Sequence, residues 1–269
     1  MKVAVIGYGN WGKQIYKNLK ILKIKNIEVI KNIFSNIEKQ NEYIKKKIKK
    51  NKYDSVFLSA DPETNARILK ISCMQSTSVF VEKPLFLNNT ELSYIEKLCK
   101  KNHLTVSVNY LYYKYLKKIR IPEKKLDKIF FYFSNKKITT RKKMFSIKTD
   151  WLSHILPILF FFFKIDKFKI LNIKSFLHLK NVCFLHIRIN NNFIVKIIIG
   201  DNYLNKRKII LFKNRKVIKV LDFKKYENKN ILLQSIKEHF RKIKSKNYEN
   251  QDLVITKKIN KFLFQKKLI

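Results

Sequence analysis

Glycine, proline, alanine and cysteine are all scarce in this 269-residue chain, which has four glycines, four prolines, three alanines and three cysteines. No internal repeat and no Pro/Gly/Ser-rich linker is present. The cysteines, Cys73, Cys99 and Cys183, are odd in number and lack metal-type spacing. Reduced thiols in a cytoplasm are expected, with no metal site. Long apolar runs are also missing. The longest, ILPILFFFF at 155–163, contains Pro157 and falls far short of the ~20 residues a membrane helix requires. The N-terminus passes from Met1-Lys2 straight into VAVIG without a leader-type cleavage site. The expectation is a soluble cytoplasmic protein with no membrane partner.

Acidic residues are few too: 19 against 60 Lys plus Arg, a formal charge of +41. That balance resembles a nucleic-acid footprint, but the lysines are spread along almost the whole chain and only seven residues are arginine. A selected phosphate- or base-reading surface favours the planar fork of Arg. Lys, Ile, Asn, Phe and Tyr abound while Ala, Gly and Pro are rare, which is the mark of A/T-rich codons. Base composition accounts for the charge, so no specific nucleic-acid partner is expected. Nonspecific, salt-sensitive adhesion to polyanions follows from the charge itself. At 46% hydrophobic residues the chain is not disordered.

Periodicity divides the chain in two. Residues 2–6 (KVAVI), 27–30 or 31–34, 54–60 (DSVFLSA), 76–82 (STSVFVE) and 104–110 (LTVSVNY) read as strands. Amphipathic helices separate them, one over 36–50 and another beginning at an Asn-Asn-Thr cap near residue 88. Alternating strand and helix predicts a parallel doubly wound sheet, a Rossmann-type domain over 1–110. From 111 to 269 the strand-like segments crowd together (127–134, 168–176, 183–189, 193–199, 208–212, 216–221), with helices near 150–163 and 229–244. This predicts an α+β domain with a mostly antiparallel open sheet, whose C-terminal helix returns to the first domain.

GYGNWG, residues 7–12, has the G-x-G-x-x-G spacing directly between a strand and a helix. Gly7 permits the tight turn, Gly9 lets backbone approach a pyrophosphate, and Gly12 lets helix and strand pack closely. Three of the four glycines are spent here. Tyr8, Asn10 and Trp11 belong to the same candidate cofactor site. The acidic residue that binds the ribose of NAD, about 20 positions on, is missing. Asn32, Ser35 or Asn36 stands there instead, with Lys31 and Lys39 nearby. Either NAD or NADP is expected, with a lean to NADP.

The glycine turn, SADPETN at 59–65, VFVEKPLF at 79–86 and VSVNY at 106–110 occur in the order found in the glucose-fructose oxidoreductase/inositol dehydrogenase (Gfo/Idh/MocA) family, which the chain resembles. The resemblance implies an NAD(P)-dependent oxidoreductase moving hydride between nicotinamide and a sugar, sugar nucleotide or cyclitol, with surface-polysaccharide biosynthesis as one setting. It places Ala60, Asp61, Glu82, Lys83 and Pro84 beside the cofactor, with Ser35 at the ribose. Lys83 would hydrogen-bond the reacting oxygen, Pro84 would shape the turn, commonly with a cis bond before it, and the protein would form homo-oligomers. DWLSH fits the family's Asp-His pair. Spacing i, i+4 puts Asp150 and His154 on one helical face, with His154 as general acid/base and Asp150 as its modulator. Two departures stand out. Pro157 occupies the position of a second Asp, and Thr64-Asn65 replaces Thr-His. They keep open an alternative, a catalytically weakened cofactor-binding paralogue acting as partner or sensor.

Overall fold

The computed structural model describes residues 1–31, 36–85, 87–116, 126–134, 147–162, 170–179, 182–189, 193–200, 206–224, 230–246, 248 and 250–265. They fall into two compact units, one of residues 1–109 and 232–262 and the other of 110–231 and 263–269.

In the first unit β1 (Lys2–Ile6), β2 (Asn26–Ile30), β3 (Ser55–Leu58), β4 (Ser78–Val81) and β5 (Val106–Val108) form a parallel sheet of order β2-β1-β3-β4-β5. Every residue of β3, β4 and β5 is buried, and so are Val3 to Ile6. A parallel sheet covered by helices on both faces requires this, which is why these strands read as unbroken apolar runs. Burying each of Phe57 and Phe80 contributes about 1.5–3 kcal/mol.

The intervening helices start where the sequence supplies caps. Asn36 caps α2 (Ile37–Asn51) by accepting from the amides of Glu38 and Lys39, and Asp61 caps α3 (Pro62–Met74) by accepting from Thr64 N. Asn88 and Glu91 form a reciprocal capping box on α4 (Asn89–Lys101). α1 (Asn10–Ile21) differs: Gly9 is its N-cap, no side chain caps it, and its first turn holds no acidic residue.

Two later helices complete this unit, α7 (Ile231–Lys244) and α8 (Gln251–Gln265). His239 of α7 is fully buried, its Nε2 2.8 Å from Ser55 Oγ and its Nδ1 2.9 Å from Ser107 Oγ. The N-terminal approach to α8 closes the sheet edge. Asn250 Oδ1 accepts from Val106 N at 2.7 Å, Asn250 Nδ2 donates to Leu104 O at 3.1 Å, and Asp252 Oδ2 accepts from Val108 N at 3.0 Å. Side chains thereby satisfy backbone groups that an open edge would leave to another chain.

The second unit contains α5 (Leu111–Leu116), β6 (Lys128–Ser134), α6 (Ile147–Pro157), a π-helical turn (Ile158–Phe162), β7 (Ile170–Leu179), β8 (Val182–Ile189), β9 (Phe193–Gly200), β10 (Lys206–Lys213) and β11 (Lys216–Asp222). The six-stranded sheet runs β11-β10-β6-β9-β8-β7, antiparallel except where β6 and β9 pair in parallel. One face carries Ile129, Phe131, Phe133, Val195, Ile197, Ile199, Ile209 and Leu211, all buried. Trp151, Leu152, Ile155 and Leu156 of α6 are buried within the same unit. The other face carries Phe130, Tyr132, Phe184, Ile198, Ile210 and Phe212, each only partly covered, among Lys196 and Lys208.

Several sequence expectations are corrected. Of the two segments offered for β2 the first forms the strand, as 26–30, while β5 spans three residues rather than seven. The helix expected near 150–163 is α helical only to Pro157 and continues as a π turn. Proline lacks an N–H and its ring crowds the carbonyl four residues back, so the ladder widens there. α5 and α8 were not anticipated. α5 is built from YLYYKYL-type residues with β propensity, and α8 hides its apolar stripe among lysines.

Candidate functional site

The candidate cofactor residues of the first unit gather at the carboxyl ends of its parallel strands, where open α/β sheets bind ligands. Gly7 follows β1 with φ +86°, a conformation that only glycine adopts without strain. A Cβ on Gly7 would stand 2.6 Å from Ala60 N and 2.9 Å from Ala60 Cα. A Cβ on Gly12 would stand 2.0 Å from Gly7 O and 2.9 Å from Ser59 Oγ. Both glycines are therefore demanded by the chain itself. Ser59 Oγ donates to Gly7 O at 2.6 Å and Ser59 N to Ile6 O at 2.9 Å, tying the turn to the end of β3.

Gly9 is different. Its φ of −73° suits any residue, and a Cβ there would meet nothing within 4 Å. Neither conformation nor packing explains the glycine, so the space above it is free for something outside the chain. It lies at an uncapped helix N-terminus, where amide N–H groups and the helix dipole favour an anion. Asn10 is exposed and Trp11 half-buried. Tyr8 makes an edge contact with Tyr16, ring centroids 5.8 Å apart, and Lys31 Nζ lies 6.0 Å from the centroid of the Tyr8 ring. Lys31 directly follows β2, where a ribose-binding residue is sought. Ser35, together with Asn32, lies outside the described residues. Asn36 has its side chain committed to capping α2.

Asp61 is likewise committed as the cap of α3, Thr64 N donating to its Oδ1 at 2.9 Å. Ala60 is held on both sides by Asn65, its N donating to Asn65 Oδ1 and its O accepting from Asn65 Nδ2. After β4, Glu82 N donates to Leu58 O at 2.9 Å, and the buried Glu82 carboxylate accepts from Asn109 Nδ2 at 2.6 Å. A buried carboxylate must be paired, and the Asn of VSVNY is one of its partners. Lys83 is half-buried and its peptide bond to Pro84 is cis. Asn260 of α8 donates to Leu85 O at 3.1 Å and Leu87 O at 2.7 Å, pinning the segment that leaves this turn.

Asp150 and His154 sit one turn apart on α6, in the second unit. Ser153 Oγ donates to Asp150 O at 2.6 Å. The imidazole of His154 packs edge-on against Tyr112, centroids 4.8 Å apart, and lies 6.0 Å from Trp151. Asn65, Asn109 and Asn260 hold these turns; the sequence shows Asn65 only as a departure within SADPETN and Asn109 only as a letter of VSVNY, and offers nothing for Asn260. In a chain rich in asparagine, nothing local distinguishes them. Among the described residues no group of His, Cys, Asp and Glu could hold a metal ion, and no helix is long and apolar enough to cross a membrane.

No protein-family model matches the chain, and no curated protein matches it by sequence. Solved structures do match. UDP-N-acetylglucosamine 3-dehydrogenase from Acidithiobacillus ferrooxidans superposes with a TM-score of 0.73 at 12% identity, over 98% of this chain and 96% of that one. For myo-inositol 2-dehydrogenase from Lactobacillus plantarum the values are 0.72, 15%, 98% and 96%. For scyllo-inositol dehydrogenase from Lactobacillus casei, solved with NAD(H) and scyllo-inositol, they are 0.70, 12%, 97% and 94%. The chain has the fold of these dehydrogenases.

Proposed function

We propose that the protein is an NAD(P)-dependent oxidoreductase acting on a sugar, sugar nucleotide or cyclitol. The observation that carries this reading is Gly9, a glycine that neither backbone nor neighbours require, kept at an uncapped helix start in a chain with few glycines. The cradle fits a dinucleotide: the Gly9 surface would face the pyrophosphate, with Tyr8 and Lys31 toward the adenosine ribose. Lys31 in place of a ribose-binding carboxylate favours NADP, because a 2′-phosphate meets a cation rather than an anion. The nicotinamide supplies hydride acceptance and return at its C4.

The remaining roles fall on the chain's own side chains. Lys83 donates a hydrogen bond from Nζ to the reacting oxygen. His154 takes the hydroxyl proton on an imidazole nitrogen during oxidation and returns it during reduction, and Asp150 steadies its charged form. Glu82, Asp61, Ala60 and Pro84 shape the cofactor edge. Structural neighbours that act on UDP-N-acetylglucosamine and inositols support this substrate class. A place in surface-polysaccharide synthesis extends the same reading.

The half-covered aromatic face of the second sheet supports self-association as a homo-oligomer. Three buried free thiols suit the reducing cytoplasm. Pro157 standing where the family carries a second Asp favours one other reading, a binding protein without turnover.

The test is titration with NADH and NADPH separately, at moderate salt, followed by nucleotide fluorescence. Saturable binding with tighter NADPH affinity is expected, and absence of binding by folded protein would overturn the reading. Turnover assays on nucleotide sugars and inositols then separate enzyme from binding protein.

A further inference from the structure

Asn65 lies in α3 at 1% exposure, and no role follows for it from the reading above. Its carboxamide spans both main-chain groups of one residue: Ala60 N donates to Asn65 Oδ1 at 3.0 Å, and Asn65 Nδ2 donates to Ala60 O at 3.1 Å. Only a group with adjacent donor and acceptor can do this. Both peptide planes flanking Ala60 are thereby fixed. Ala60 in turn is the wall against which Gly7 turns, since its N and Cα stand 2.6 and 2.9 Å from where a Gly7 Cβ would be. The neighbouring Ser59 hydroxyl donates to Gly7 O. Main chain therefore rests on main chain with no side chain to absorb a shift. A rotation at Ala60 would displace Gly7, and with it the direction in which Gly9 and the first amides of α1 point.

We propose that Asn65 is a positioning residue for the dinucleotide, its carboxamide locking Ala60 and, through Ala60, the glycine turn. This rests on the function proposed above. α3 does not need Asn65 for its own start, because Asp61 caps it. The effect therefore falls on the cofactor edge rather than on helix formation.

The experiment compares wild type with Asn65→Leu, which keeps volume and removes both bonds, and Asn65→Asp, which keeps the acceptor but sets a carboxylate against Ala60 O. Ser72→Ala serves as control: Ser72 Oγ donates to Ile68 O within the same helix and is fully buried, but it does not touch Ala60. Circular dichroism establishes folding at the assay temperature, and fluorescence titration gives the Kd for NADH and NADPH. Loss of both bonds in Asn65→Leu, and of one bond with a carboxylate set against the Ala60 carbonyl in Asn65→Asp, predicts Kd raised roughly tenfold in each. In turnover, the cofactor KM should rise while kcat at saturating cofactor stays within about twofold. Ser72→Ala should lose thermal stability and keep wild-type Kd. The inference is overturned if folded Asn65→Leu binds as wild type does, or if Ser72→Ala weakens binding equally. If Asn65→Leu does not fold, Asn65→Asp alone decides, by the same criteria. Wild-type protein that binds neither nucleotide would instead sink the parent reading, and this inference with it.

Discussion

Replacing Gly9 by Asp should move stability and binding in opposite directions. At φ −73° and ψ −163° the backbone already accepts an L residue, and no atom lies within 4 Å of the new Cβ. Asp is a better N-cap than Gly by a few tenths of a kcal/mol, and a carboxylate at a helix start adds about 0.3–1 kcal/mol. α1 has neither cap nor acid at present, so both gains apply. At about 2–4 °C per kcal/mol for a chain of this size, Tm should rise by roughly 1–5 °C. Binding should collapse, because the carboxylate takes the position proposed for the pyrophosphate. Two unit charges 4 Å apart at an effective dielectric of 20 repel by about 4 kcal/mol, close to a thousandfold in Kd. Gly12→Ala supplies the contrast. Its Cβ would lie 2.0 Å from Gly7 O, so backbone must move and roughly 1–3 kcal/mol of stability is lost along with binding. Thermal melts without nucleotide and NADH or NADPH titrations read both quantities. A Gly9→Asp variant that binds normally, or that loses several degrees in Tm, would refute the claim that Gly9 is kept for a ligand.

Three further outcomes are expected. Lys83→Ala and His154→Asn should each lower kcat by about 10²–10⁴ while leaving cofactor Kd near wild type, as stopped-flow and equilibrium titration would show; unchanged turnover removes the assigned roles. His239→Leu strands the buried hydroxyls of Ser55 and Ser107 and should cost roughly 2–4 kcal/mol, seen as a lower urea midpoint. Partial burial raises the Glu28 carboxyl, but hydrogen bonds from Tyr53 and Lys47 outweigh it and hold Glu28 below its ordinary 4.5. Burial first, then the bond to Glu28, pushes the Tyr53 phenol upward. A depressed carboxylate contributes stability that is full above its unfolded pKa and lost as pH falls through the folded one. The stability gap between wild type and Glu28→Gln should therefore close below about pH 4.5 in pH-resolved melts. A gap that is constant from pH 6 to 3 would contradict it.

The parts of the fold legible in sequence were those governed by short-range rules. β1, β3 and β4 announce themselves because a doubly covered parallel strand must be apolar throughout. α2, α3 and α4 announce their starts because Asn36, Asp61 and Asn88 are cap residues ahead of amphipathic runs. α8 was not legible, because its role is tertiary. Asn250 just before it and Asp252 within it answer the open edge of β5, Asn260 answers the carbonyls of Leu85 and Leu87, and no periodicity encodes which strand a distant asparagine will serve. The π turn after Pro157 was missed for a related reason. The apolar run around it suits a buried helix of any pitch, and only the missing N–H decides where the pitch changes.

The candidate site divides along the same line. The glycines of the first turn were visible, since Gly7, Gly9 and Gly12 stand out in a chain that otherwise avoids glycine. What the asparagines around the strand ends do was not. Asn65, Asn109 and Asn260 each spend a buried carboxamide on a turn at the strand ends: Ala60, the Glu82 carboxylate, and the carbonyls of Leu85 and Leu87. Composition explains both sides of this contrast. Where A/T-rich codons make asparagine abundant and glycine rare, asparagine becomes the available means of satisfying buried backbone groups and carries no statistical signal. A retained glycine, by contrast, marks a place where no other residue suffices. At Gly7 and Gly12 the reason is inside the chain; at Gly9 it is the open space itself, which gives that position most of the functional argument.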